Sequence, residues 1–312
     1  MSLHEVKEVV AEVTEMIKAW EESYKIKFST SFNITGGEPF LRSDIFAVFE
    51  EIRSRGFDIY ILSNGILIDN EKAEKLSSLG IKGVQVSIEG PNGIHEMIRG
   101  KGTFSSSIRG VYHLLKAGIK VTLNVTLSDI NADSFMEMIE LSSSLGVHKL
   151  GFSRLVPSGR GAGLLHNMLK KEKVKELYET IYSSKINGLE IVTGDPVYSQ
   201  MSSTNNKETN FTPLGGCAAG VSGLTILQDG LITPCRRLHI PIGNVKTDSL
   251  REVWATSKVL QKLRDKKQYS GKCGSCKRWN SCRGCRAIAY AYSCAKGEND
   301  FLSEDPQCFI EE

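Results

Sequence analysis

Cysteine is missing from the first two thirds of this 312-residue chain: all eight fall between Cys217 and Cys308. Such clustering marks a site near one end of the chain rather than background usage. Long apolar runs are missing too. None approaches the roughly 20 residues that a membrane-spanning helix needs, and no apolar leader opens the chain. These absences predict a soluble protein of a reducing cytoplasm, where clustered cysteines mean metal rather than disulfides. Net charge is scarce: 39 Lys and Arg against 36 Asp and Glu give +3, which argues against a nucleic-acid surface and predicts no nucleic-acid and no membrane partner. Disorder is not indicated, since 40% hydrophobic residues is ordinary for a globular chain with a sizeable core.

What is there is densest from Cys273 to Cys285, CGSCKRWNSCRGC, with Cys217 and Cys235 before it and Cys294 and Cys308 after it. Two CxxC pairs five residues apart allow several thiolates to reach one metal from a short segment. Zinc and iron–sulfur clusters both take thiolate ligands. Zinc ribbons usually separate their pairs by about 15–20 residues, and one zinc leaves four cysteines unexplained. Two cubane clusters need eight ligand positions, the number of cysteines present. The basic residues Lys272, Lys277, Arg278, Arg283 and Arg286 interleave with the cysteines, a charge pattern suited to offsetting an anionic cluster.

Upstream, strand-like and helix-like segments alternate. Apolar residues at Val6, Val9, Val10, Val13, Met16, Ile17 and Trp20 predict an opening helix over 5–24. Strands are predicted over 27–34, 58–62, 83–88, 120–126 and 149–154, and helices over 45–55, 71–79, 106–116 and 134–145, with glycines closing most of them. This rhythm predicts a parallel sheet flanked by helices, with chemistry at the carboxyl ends of the strands. A glycine-rich stretch from Ser158 to Gly163, a helix over 171–182 and a polar stretch over 202–210 then lead to the cysteine region. LTILQDGLITPC, residues 224–235, reads as a hairpin turning at Asp229-Gly230. Residues 250–263 read as one last amphipathic helix. The predicted division is 1–160, a partial (β/α) barrel; 161–213, a bridging helical segment; and 214–312, a cysteine-rich domain.

At the predicted strand ends lie Gly36-Gly37-Glu38-Pro39, Ser63-Asn64-Gly65 and Ser87-Ile88-Glu89-Gly90, with Arg99-Gly100 downstream. Glycines permit close backbone approach, a carboxylate accepts an ammonium group, and a hydroxyl with a guanidinium suits a carboxylate. Each motif alone is compatible with an ordinary turn. Together with the terminal cysteines they resemble the radical S-adenosylmethionine (radical SAM) enzymes that carry a SPASM auxiliary-cluster domain, over nearly the whole chain. The resemblance implies that Gly36, Gly37 and Glu38 bind the amino group of S-adenosylmethionine, that Ser87 and Arg99 hold its carboxylate, and that Ser63 and Asn64 border it. It implies two auxiliary 4Fe-4S clusters: one on Cys273, Cys276, Cys282 and Cys308, the other on Cys217, Cys235 and Cys285. Cys294 is either the fourth ligand of the second cluster or packing, in which case one iron stays open. Asn124, Thr126 and Arg154 are further strand-end candidates. His95, His113, His148, His166 and His239 follow no ligand spacing.

Within that family, CRGCRAIAYAY, the closing Glu-Asp-Pro-Gln-Cys, Pro157-Ser158-Gly159-Arg160 and Gly243-Asn244-Val245 are most similar to the branch acting in alternative haem and haem d1 biosynthesis. The motifs are shared in part with peptide-modifying maturases. The implied activity is an oxidoreductase acting on an iron tetrapyrrole, or on a peptide, with an electron donor such as ferredoxin or flavodoxin. No catalytic side chain is assigned by the resemblance. The family's Cx3Cx2C motif, whose cluster delivers the electron that cleaves the cofactor, is absent from the sequence as given. The expectation is therefore a (β/α) barrel lacking its first strand, followed by a SPASM domain. Either the chain starts downstream of the motif, or it is a non-catalytic cluster- or zinc-binding relative.

Overall fold

The structure is a computed structural model that describes residues 1–184, 188–201 and 215–310. A capping box opens the first helix α1 (Leu3–Tyr24): the Ser2 hydroxyl accepts from the Glu5 amide while the Glu5 carboxylate accepts from the Ser2 amide. There follow β1 (Ser31–Ile34), α2 (Ile45–Ser54), β2 (Asp58–Ser63), α3 (Asn70–Ser78), β3 (Gly83–Ser87), α4 (Asn92–Arg99), α5 (Thr103–Lys116), β4 (Val121–Leu127), α6 (Phe135–Ser144), β5 (Lys149–Arg154), α7 (Lys171–Ser183) and β6 (Glu190–Thr193). The six strands form one sheet in chain order, β1 to β6. The pairs β1·β2, β2·β3 and β3·β4 are parallel, with Ser31 opposite Asp58, Tyr60 opposite Gly83 and Val84 opposite Val121. Parallel neighbours in this order require a crossover at each step, supplied by the intervening helices.

Two compact units divide the chain. The first contains Met1–Val125 and Asp133–Gly151. Ile59, Ile61, Val84, Val86, Val121 and Leu123 are buried on its strands, and Val48, Phe49, Ile52, Ala73, Leu76, Val111 and Leu114 on α2, α3 and α5. Buried positions alternate along β2 and β4, so the sheet buries one face more deeply than the other.

The second unit contains the chain from Phe152 through α7 and from Thr193 onward, with Thr126–Ala132. Its small sheet of β7 (Thr225–Ile226), β8 (Leu231–Thr233) and β9 (Gly243–Asn244) is antiparallel. Next come α8 (Leu250–Thr256), α9 (Lys258–Arg264), α10 (Gly271–Ser275) and α11 (Arg286–Ala295). Its core gathers Leu238, Leu260, Leu263, Ile288 and Leu302 with Cys217, Cys273 and Cys285 around Trp279, whose ring meets Tyr269 edge-on at 5.6 Å.

Four elements differ from the sequence expectation. Helix α4 lies where a loop was expected, and the 3-10 run Gly159–Asn167 replaces the glycine-rich coil. The segment expected to be a helical bridge also supplies β6, a four-residue Glu-Ile-Val-Thr run too short to register as periodicity. The single helix expected over 250–263 is two, because the Ser257 hydroxyl accepts from the Leu260 amide and restarts the helix. The polar stretch 202–210 and the side chain of Arg160 lie outside the described residues. Among the described residues no helix is long and apolar enough to cross a membrane.

Candidate functional site

In the first unit, β1 leads into Gly36, whose φ of 149° favours glycine, and Cβ atoms built on Gly36 and Gly37 would meet nothing within 4 Å. The backbone there borders open space, as a ligand cradle requires. Glu38 caps the short turn Pro39–Leu41 through the Phe40 amide. The same carboxylate accepts from the Ser63 hydroxyl and from the Asn64 amide, both at 2.8 Å. Below, the Ser107 hydroxyl of α5 donates to the Asn64 carbonyl at 2.7 Å. Gly65 packs so closely on Gly110 that a Cβ there would lie 2.1 Å from the Gly65 carbonyl oxygen.

At the end of β3, Ser87 is half-buried and its hydroxyl makes no hydrogen bond among the described residues. Arg99 is drawn onto the buried Glu89, with both Nε, at 3.0 Å, and a terminal nitrogen on the same oxygen. His95 is fully buried; its Nδ1 accepts from the Glu89 amide at 3.2 Å. Burial, with the Arg99 charge second, lowers its pKa to about 4, so the ring is neutral at pH 7. The structure thus brings Glu38, Ser63 and Asn64 together by direct bonds, and holds Arg99 on a protein carboxylate.

In the second unit the thiols of Cys273, Cys276, Cys282 and Cys308 line one cavity, partly open to solvent, with Gln200, Trp279, Gly284 and Asp305. Donors point at the sulfurs. The Arg278 amide reaches Cys276 and the Gly284 amide Cys282, both at 3.3 Å. Gln200 Nε2 lies between Cys282 at 3.5 Å and Cys308 at 3.6 Å, and the Arg286 guanidinium is 3.7 Å from Cys273.

Cys285 turns away from that cavity. It shares the core with Cys217, with Cys235 packed alongside, and all three lie within electrostatic reach of Arg237. Arg283, at φ 62°, donates to the carbonyls of Trp279, Asn280, Gly215 and Cys217, and the Cys217 amide donates to the Cys282 carbonyl at 3.0 Å. Gly216 is obligatory here, since a Cβ would lie 2.4 Å from the Cys282 carbonyl oxygen. Cys294, on α11, joins neither group and is hydrogen-bonded to Tyr290 one turn earlier.

Among the described residues, no three His, Cys, Asp or Glu side chains converge as they would on a single ion. The four thiols border one cavity, a soft donor set of the kind that iron–sulfur clusters take. Burial pushes the Cys282 and Cys285 thiols up to about 12 and raises Cys273. Thiolates at these positions therefore need a bound cation to form. The orphaned Gln200 Oε1 and Trp279 Nε1 beside the cavity are further signs of a polar occupant.

Sequence reasoning gave Arg154 a minor place and missed Asp195, Asp305 and Gln307. Fully buried Arg154 donates to Asp195 at 2.6 and 2.9 Å, to Asp305 at 2.9 and 2.8 Å, and to Gln307 at 2.9 Å, while the Tyr178 hydroxyl donates to Asp195 at 2.8 Å. Burial opposes charge on both partners, yet the Arg154–Asp195 attraction prevails: Arg154 is raised well above its usual range and Asp195 lowered. The Asp-Pro-Gln-Cys ending was the one visible trace of this network.

The model of the radical SAM superfamily matches residues 4–142, and that of SPASM, an iron-sulfur cluster-binding domain, matches residues 217–286. The chain is 31% identical over 288 residues to an AdoMet-dependent heme synthase of Nitratidesulfovibrio vulgaris, covering 88% of this chain and 77% of the relative. It is 30% identical over 266 residues to the mycofactocin maturase MftC of Mycolicibacterium smegmatis, covering 83% and 66%. Streptococcus suis SuiB bound to S-adenosylmethionine shares the fold at a TM-score of 0.74 and 16% identity, over 99% of this chain and 71% of SuiB. The chain belongs to the radical SAM superfamily and carries in its last third the SPASM iron–sulfur cluster-binding domain.

Proposed function

We propose that this chain, as the N-truncated part of a radical SAM/SPASM oxidoreductase whose cofactor-cleaving Cx3Cx2C motif is absent from the sequence as given, serves an enzyme of the haem-synthase kind that remodels carboxylate side chains of an iron tetrapyrrole. Two 4Fe-4S clusters occupy the cysteines, one on Cys273, Cys276, Cys282 and Cys308 and one on Cys217, Cys235 and Cys285, with no protein thiol as fourth ligand of the second. The observation that supports the reading is the lining of one cavity by four thiols, with Cys217, Cys235 and Cys285 all within electrostatic reach of Arg237. The tetrapyrrole assignment is supported by the likeness to the heme synthase.

S-adenosylmethionine and the clusters, when bound, supply one-electron chemistry. The chain's own residues bind and orient. Glu38, already fixed by three donors, keeps acceptor capacity for the ammonium group of the cofactor. Gly36 and Gly37 leave the backbone approachable. The Ser87 hydroxyl is available to the cofactor carboxylate, while Arg99 reaches it only by sharing itself with Glu89. Ser63 and Asn64 hold Glu38 in place and border the cofactor. The proposed division remains 1–160, 161–213 and 214–312, in a cytoplasmic protein served by a small reduced electron carrier.

The likeness to MftC favours a second substrate class, a peptide. Anaerobic reconstitution followed by iron analysis and titration with iron coproporphyrin, read at its Soret band, tests the proposal. About eight irons per chain and saturable one-to-one binding are expected. Full iron content without a Soret shift overturns the tetrapyrrole reading, and a chain that takes up no iron overturns the cluster reading.

A further inference from the structure

Among the described residues, Asp305 reaches members of both cysteine groups, two through its main chain and one through its carboxylate. Its amide donates to the Cys273 sulfur, and its carbonyl accepts from the Cys308 amide at 3.0 Å. Its carboxylate accepts from the Cys285 amide at 2.8 Å. Cys273 and Cys308 line the four-thiol cavity, as Asp305 itself does; Cys285 belongs to the three-thiol group. The remaining acceptor positions of the carboxylate take the Gln307 amide at 3.0 Å and the two Arg154 nitrogens.

The position tolerates little displacement. Asp305 and Arg154 are both fully buried at the side chain. A Cβ on Gly284, between Cys282 and Cys285, would lie 2.7 Å from the Asp305 Cβ and 2.7 Å from an Arg286 nitrogen. A carboxylate held this way is a fixed negative charge adjoining two places where electrons would be stored. Its charge is offset in part by Arg154, which itself divides its charge between Asp305 and Asp195, and by Arg286, which lies within electrostatic reach. Cluster potentials respond to net nearby charge, to hydrogen bonds at the ligands and to burial. The carboxylate itself is fully buried, so its charge is screened less than a surface charge would be.

We propose that Asp305, anchored by Arg154, is a positioning residue that sets the reduction potentials of both auxiliary clusters together, its carboxylate making each of them harder to reduce. The inference rests on clusters occupying the two cysteine groups. It goes beyond that reading by assigning a shared electrostatic control to a residue that ligates neither cluster.

The test is an anaerobic redox titration of the reconstituted full chain, followed by electron paramagnetic resonance, on the wild type, Asp305→Asn and Gln307→Glu. Asp305→Asn removes the charge at nearly constant volume. At a fixed ambient potential the ratio of reduced to oxidised cluster is expected to rise about tenfold for both signals, equivalent to about 59 mV for one electron. Gln307→Glu adds a carboxylate on the same guanidinium, 2.9 Å from Arg154, and is expected to move both signals the opposite way. A merely structural role predicts loss of iron or broadened signals, with no dependence on the sign of the added charge.

Iron-replete variants with unmoved potentials overturn the proposal, as do shifts of the same sign in both. If Asp305→Asn fails to load iron, Gln307→Glu decides alone: a downward shift supports the proposal and an unchanged potential overturns it. Iron loss from both variants also overturns it, since a structural network then suffices. A wild type without iron is a separate outcome, which defeats the cluster reading before any potential is measured.

Discussion

The carboxylate of Glu38, just beyond β1, accepts a hydrogen bond from the hydroxyl of Ser63, the last residue of β2, at 2.8 Å. With the Asn64 amide on its other oxygen, this one side chain ties two neighbouring strand-end loops together. Its binding role and its structural role are therefore inseparable. Glu38→Gln exchanges one acceptor oxygen for an amide donor and sets it against an N–H or O–H. The expected result is a loss of about 1–3 kcal/mol of stability and at least a tenfold fall in affinity for S-adenosylmethionine, read by chemical denaturation and calorimetry. Retained affinity would remove Glu38 from the cofactor site.

A second prediction concerns the floor of the same loop. Alanine is the better helix former, by about 0.8–1 kcal/mol, yet Gly110→Ala is expected to destabilise. The added methyl would sit 2.1 Å from the Gly65 carbonyl oxygen, so α5 and the loop after β2 must separate. Overpacking of this kind costs about 1–3 kcal/mol, and a depressed melting temperature in a thermal scan checks it. A stabilised variant would mean that the loop moves aside freely and does not hold Asn64 in place.

Much of the first unit was legible because the physics of its elements is local. The runs within β2, β3 and β4 are β-branched and bounded by glycine or polar turns, and α2, α3 and α6 begin and end within a few residues of their apolar periodicity. Helix α4 was overlooked although Ile94, Met97 and Ile98 stand at helical spacing: its eight residues, NGIHEMIR, lie inside a long connection that reads as a loop after Glu89-Gly90-Pro91. That Cys282 lines the cavity while Cys285, in the same CxxC, lies near Arg237 is not something the spacing of the cysteines could show. Of the Arg154 network only Arg154 itself and the Asp-Pro-Gln-Cys ending drew notice, and nothing joined them. The partners of Arg154 are 41 and 151 residues away in sequence, and no spacing rule links an arginine at a strand end to an aspartate near the carboxyl terminus.

The two readings of Cys294 separate in an iron assay. Its thiol is hydrogen-bonded to Tyr290 on the same helix and borders neither cysteine group. Cys294→Ser is therefore expected to keep the wild-type iron content after anaerobic reconstitution. Cys308→Ser, by contrast, is expected to lose about four irons per chain, because it takes a thiolate from the four-thiol cavity. Loss of iron from Cys294→Ser would make it the fourth ligand of the second cluster.

The last prediction follows from His95. Its pKa in the folded chain is lowered to about 4 by burial first and the Arg99 charge second, against about 6.5 when unfolded. Between those values the unfolded chain binds more protons than the folded one, so stability rises with pH. The contribution is fully present above about pH 6.5 and is lost as pH falls toward 4, amounting to about 3 kcal/mol over the full window. His95→Phe keeps an aromatic ring against Phe104, which His95 meets edge-on at 5.7 Å, but it cannot take a proton and leaves the Glu89 amide without its acceptor. The variant is expected to be less stable at pH 7, by about 1–3 kcal/mol, and to lose less stability than the wild type between pH 7 and 4.5. Urea unfolding at the two pH values checks both parts. Equal losses in variant and wild type would mean that His95 does not remain neutral in the folded chain.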